Sequence, residues 1–102
     1  MLSLSPRRRA APLLLLGLGL GLVACGHPAT REECDELFAK NAEIELSSQH
    51  ITDPKTVADR IAAARTAEGD AFAGRCVGRR ITTRALACVR RATSAEQLDR
   101  CL

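Results

Sequence analysis

The stretch RCVGRRITTRALACVRRATSAEQLDRCL, Arg75–Leu102, decides how this chain folds. It carries three of the five cysteines, Cys76, Cys88 and Cys101, and no acid before Glu96. The apolar spacing predicts a helix over Ala71–Ala92, burying Phe72, Cys76, Ile81, Ala85, Cys88 and Val89. Gly74 and Gly78 each weaken such a helix by about 1 kcal/mol relative to Ala. They read as points of close packing, with a kink as the alternative. Thr93-Ser94-Ala95-Glu96 reads as a capping box, Thr93 at the N-cap and Glu96 three residues on. It starts a short terminal helix ending near Cys101.

Upstream the pattern is also helical. Thr30-Arg31-Glu32-Glu33 is a second capping box and opens a helix from Arg31 to about Ser47. Cys34, Leu37, Asn41, Ile44 and Ser48 make its seam, with Phe38 beside it. Asp53 caps the next helix and Pro54 suits its first position, where no N–H is needed. That helix runs to about Ala67, with Val57, Ile61 and Ala64 inward, while Ala58, Ala62 and Ala63 let a neighbour approach. Gly69 stops it and Asp70 caps the next. No stretch alternates with period two long enough to make a strand. The expected class is all-α: a small up-down bundle of three to four helices in one domain, residues 30–102. Phe38 and Phe72 are the only aromatics, so the core is thin. At this size a single core supplies only about 3–5 kcal/mol, and covalent staples are expected.

Cys34, Cys76, Cys88 and Cys101 form an even set, which can pair in three ways. Cys76 and Cys88 on one helix are separated by about 18 Å of rise. A disulfide needs Cα atoms about 4.4–6.8 Å apart. That pair is excluded unless the helix breaks at Gly78. Folding the chain back at Thr93 brings Cys88 and Cys101 to heights differing by about 5 Å. Cys88–Cys101 is therefore favoured, and Cys34–Cys76 follows. In an up-down-up bundle the first and third helices run parallel, and both of the latter cysteines lie near their starts.

The N-terminus carries a different signal. Arg7, Arg8 and Arg9 precede an uncharged, Leu- and Gly-rich run, Ala10–Ala24. This is the charged region and apolar region of a secretory signal, residues 1–24. The run is shorter than the roughly 20 residues that span a bilayer. It ends in Leu22-Val23-Ala24-Cys25, which resembles the lipobox of bacterial lipoproteins. The resemblance implies a diacylglyceryl group on the Cys25 sulfur, cleavage before Cys25, and acylation of the new amine. Cysteine is required because its sulfur is the nucleophile. Several acyl chains anchor stably where one is marginal. Gly26, rather than Asp, at the next position implies the outer membrane of a Gram-negative cell. Residues 25–29 then serve as a lipidated start and short tether. The resemblance implies no cofactor beyond the covalent lipid on Cys25.

The formal charge of +3 belongs to the arginines of the signal. From Gly26 to Asp70 ten acids face five bases; from Ala71 to Leu102 two acids face seven bases. Arg75, Arg79, Arg80, Arg84, Arg90 and Arg91 make a candidate contact face for another envelope protein or for anionic headgroups. No aromatic residues interleave them, which argues against nucleic acid. His27 in the tether and His50 in a loop read as solvated. Glu32, Glu33, Asp35 and Glu36 complement a helix dipole. No C-x-x-C pair suggests a metal, and no phosphate loop is present. The cysteine-bearing segment also resembles the tails of small helical lipoproteins of bacteria such as myxobacteria. The shared pattern is Cys76-Val77, Leu86-x-Cys88-Val89, a small polar pair, then Leu98-x-x-Cys101. That resemblance implies a fold and no activity. The expectation is a non-catalytic, membrane-anchored accessory or protein-binding module, not an enzyme. The alternatives are a small-ligand or lipid-binding helical module and, third, a thiol redox protein.

Overall fold

The computed structural model describes Gly26–Leu102; the expected signal segment and Cys25 lie outside the described residues. The order is β1 (His27–Pro28), α1 (Arg31–Ser48), α2 (Pro54–Cys76), β2 (Arg80–Ile81), α3 (Thr83–Arg91) and α4 (Ala95–Cys101). The fold is an all-α bundle of four helices tied by two disulfides, with one minor antiparallel strand pair.

Each helix starts where a short polar side chain can satisfy a free N–H. Thr30 Oγ1 accepts from the Glu33 amide at 3.1 Å. Asp53 accepts from the Thr56 amide at 2.9 Å and from its hydroxyl at 2.8 Å, and Pro54 follows at once. These bonds favour the ionised Asp53 and hold its pKa below the ordinary carboxylate value. Thr82 accepts from the Ala85 amide, and Ser94 from the Gln97 amide. The cap of α4 is thus Ser94, one residue past the expected Thr93. Gln97, not Glu96, reaches back and accepts from the Thr93 amide at 2.9 Å.

α1 closes with two backbone bonds, Ile51 N–H to Leu46 O and His50 N–H to Ser47 O, both 3.0 Å. His50 therefore sits at φ 62°, the left-handed position where glycine is usual.

α2 does not stop at Ala67. It runs through Gly69 to Cys76, and Asp70, expected to cap a new helix, lies inside it. Asp70 accepts from Arg31 of α1 at 2.6 Å, and Arg65 makes a two-pronged bond with Asp35. Phe72 meets Phe38 edge to face, with centroids 5.5 Å apart. Together these contacts hold the segment on α1, which offsets the glycine penalty of about 1 kcal/mol. The real break comes at Val77–Thr82, where Gly78 takes φ +87°. Neither glycine marks close packing: the space beside both Gly74 and Gly78 is open.

α1 and α2 form an antiparallel hairpin, and α1 also carries α3 and α4. Ala29, Cys34, Phe38, Ile44, Ala73, Leu86, Val89 and Ala92 are buried. Asn41 and Ser48 of the expected seam are exposed, and Leu37 is half-buried. On α2, Val57, Ile61 and Ala64 are half-buried as the inward face; Ala58, Ala62 and Ala63 are exposed. Cys34 joins Cys76 with Cα atoms 5.9 Å apart, and Cys88 joins Cys101 at 5.5 Å. The first bridge forms between antiparallel neighbours, not parallel ones: Cys34 lies near the start of α1 and Cys76 ends α2. Four residues further into each helix, Phe38 faces Phe72. At the other end of the hairpin, Arg60 and Ala64 of α2 lie beside Ala42, Leu46 and Gln49.

Candidate functional site

The most constrained surface lies where the chain enters the domain. His27–Ala29, expected to be a tether, is bolted down. His27 pairs with Ile81 and Pro28 with Arg80 across the strand pair. The Ala29 amide donates to Arg79 O at 2.7 Å, and the Gly78 amide donates to Ala29 O at 2.9 Å. The Arg80 guanidinium donates to Gly26 O at 3.1 Å. Gly26 has φ +75°, and a Cβ there would collide with the Ile81 carbonyl. His27 is not solvated chain either: its Nε2 lies 2.9 Å from both carboxylate oxygens of Glu33. Two strands of two residues each are too short to show a period. The signal that could have found them is Gly78, which the strand pair needs for its turn.

The six arginines expected to form one face separate into two kinds. Arg90 is occupied: it grips Glu36 of α1 through two bonds, of 2.8 and 3.3 Å, and so fastens α3 to the hairpin. That carboxylate raises the Arg90 pKa further. Arg75, Arg79, Arg80, Arg84 and Arg91 are exposed and make no ion pair among the described residues. Arg79 and Arg80 lie in the β2 connection, Arg75 just before it and Arg84 just after. Arg91 lies two turns beyond Arg84 on the same side of α3. The four around β2 share the end of the molecule where Gly26 is held.

Other concave surfaces are shallow. An open groove of about 470 Å³ separates α1 from the start of α4, lined by Asn41, Ile44, Ser47, Ser48, Ser94 and Ala95. A crevice of about 60 Å³ lies beside the Phe38–Phe72 pair. Among the described residues, no group of three or more His, Cys, Asp or Glu side chains is placed to hold a metal ion. No helix among them is long and apolar enough to cross a membrane. Cys34, Cys76, Cys88 and Cys101 are all in bridges, and Cys25 lies outside the described residues. No protein-family model matches the chain, and no curated protein and no solved structure matches it either.

Proposed function

We propose that this chain is a bacterial lipoprotein: a small helical domain fixed to the membrane by lipid on Cys25, acting as a non-catalytic accessory of the cell envelope. The observation that carries the reading is Leu22-Val23-Ala24-Cys25, placed two residues ahead of strand β1. Cleavage before Cys25 removes no residue of the strand pair or the bundle. The disulfides support an exported, oxidising compartment, where such bridges persist. Gly26 favours the outer membrane of a Gram-negative cell. The role is to bind and position a neighbour rather than to convert a substrate, and the unpaired arginines are the contact surface. The small-ligand alternative has one feature in its favour, the open groove between α1 and α4.

The test is growth with a clickable fatty acid, followed by mass spectrometry of the N-terminal peptide. The expected result is label on a chain that starts at a diacylglyceryl-modified Cys25, lost in Cys25→Ser. A chain cut elsewhere, or an unmodified Cys25 in the soluble fraction, overturns the reading.

A further inference from the structure

We infer that the connection Val77–Thr82, flanked by Arg75 and Arg84, is a docking surface for anionic phospholipid headgroups, on which the domain lies flat against the bilayer. The inference rests on the anchored reading and names the partner of its contact surface.

The leash is the first part of the argument. Cys25 is one peptide bond from Gly26, so their Cα atoms are about 3.8 Å apart. Gly26 is held by Arg80, and Ala29 is held from both sides by Arg79 and Gly78. Acyl chains that leave Cys25 and enter a bilayer therefore draw the β2 connection down to the headgroup layer. A flexible linker would let the domain stand off; a paired strand does not.

Charge is the second part. The arginines that serve the fold each have a carboxylate: Arg31 with Asp70, Arg65 with Asp35, Arg90 with Glu36. Arg75, Arg79, Arg80 and Arg84 have none among the described residues, and no acid occurs from Ala71 to Ala95. Of the acids near this end, Glu33 is engaged by His27 and Asp70 by Arg31. Glu32 is exposed and Glu33 keeps its charge beside an imidazole, two opposing charges against four. Anionic headgroups supply what these arginines lack.

Val77 is the third part. It is 47% exposed beside the Gly78 turn. A branched apolar side chain among arginines is poorly placed in water and well placed at a headgroup boundary, where the guanidinium stems also bury.

The test is arginine footprinting of the full, membrane-extracted protein with phenylglyoxal, read by mass spectrometry. The protein is reconstituted in phosphatidylcholine vesicles, with or without phosphatidylglycerol. Modification of Arg79, Arg80 and Arg84 falls about fivefold with phosphatidylglycerol, the factor expected from one basic residue at an anionic leaflet. Arg60, beside Gln49 at the opposite end of the hairpin, is unchanged, and added salt removes the contrast. Equal modification in both vesicles overturns the inference. So does shielding in native envelope membranes but not in phosphatidylglycerol vesicles, which assigns the arginines to an acidic protein. The same spectra report the lipid on Cys25. Lipidated protein with unshielded arginines removes the docking surface alone. An unmodified Cys25 with shielded arginines removes the anchor and leaves the headgroup surface.

Discussion

Replacing both cysteines of one bridge with alanine tests which staple holds the domain. The Cys34–Cys76 bridge closes a separation of 42 residues, and Cys88–Cys101 closes 13. The chain-entropy relation gives about 4 kcal/mol for the first and about 3 kcal/mol for the second. Packing widens the gap. Cys34 is fully buried where α1 meets α2, and removing its sulfur leaves a void costing about 1 kcal/mol. Cys101 is only half-buried, at the end of the chain. C34A/C76A therefore loses about 5 kcal/mol and C88A/C101A about 3 kcal/mol. The core supplies about 3–5 kcal/mol and the remaining bridge about 3 kcal/mol, so the first variant stays folded with about half its stability. It loosens the hairpin on which α3 and α4 pack. The second keeps the hairpin and loosens α4. Urea titration followed by far-ultraviolet circular dichroism measures both. A loss for C34A/C76A below about 2 kcal/mol, the low end for a native bridge, refutes the reasoning. So does a larger loss for C88A/C101A.

His50→Gly relieves a left-handed residue and stabilises the domain by about 1 kcal/mol, less the extra freedom glycine gives the unfolded chain. Urea midpoints compare the two, and a lower midpoint contradicts the strain. Gly26→Ala places a methyl against the Ile81 carbonyl and frees β1 from β2; amide exchange at Gly78, whose N–H donates to Ala29, then quickens while exchange in mid-α1 does not. Unchanged protection at Gly78 would show that the strand pair absorbs a side chain. The Asp53 cap gives a pH dependence. Its folded pKa is depressed, so its contribution is present above the unfolded value and is lost as pH falls through the folded one. Asp53→Asn keeps a capping oxygen and removes that acid-limb slope. Identical acid limbs for the two proteins would exclude the cap as its source.

Caps were the most legible features because they are local. Thr30, Asp53 and Pro54 start helices by contacts within four residues. The end of α2 was not legible for the converse reason. Gly69-Asp70 is punctuation by any local rule, and it is overridden by Arg31, Asp35 and Phe38, more than 30 residues away in the chain. Two adjacent hydroxyls, Thr93 and Ser94, offer the same cap chemistry, and the backbone used the second. The cysteine pairs hold although the expected bundle differed. The chain does break at Gly78, so the one-helix ground for excluding Cys76–Cys88 lapses. What survives is the fold-back that sets Cys101 beside Cys88, with Cys34 and Cys76 at one end of the molecule. Ending a long α2 there achieves this as well as starting a third helix there. The arginine face divided because sequence shows charge but not which carboxylate is within reach; among the described residues, Arg90 alone of the six pairs with one.

Gly26 carries two demands at once, and they bear on how its variants are read. On the proposed lipoprotein reading, it follows the lipidated Cys25 and directs sorting. As the residue before β1 it must leave room for the Ile81 carbonyl at φ +75°. Any L-residue there meets the carbonyl through its Cβ, and asparagine's tolerance of positive φ does not remove that collision. An aspartate placed at 26 to retain the protein in the inner membrane therefore also breaks the clamp. A change of membrane after Gly26→Asp is attributable to sorting only if Gly26→Ala, which breaks the clamp without a charge, leaves the protein where it was. If both variants relocate, the clamp and not the sorting position governs where the domain resides.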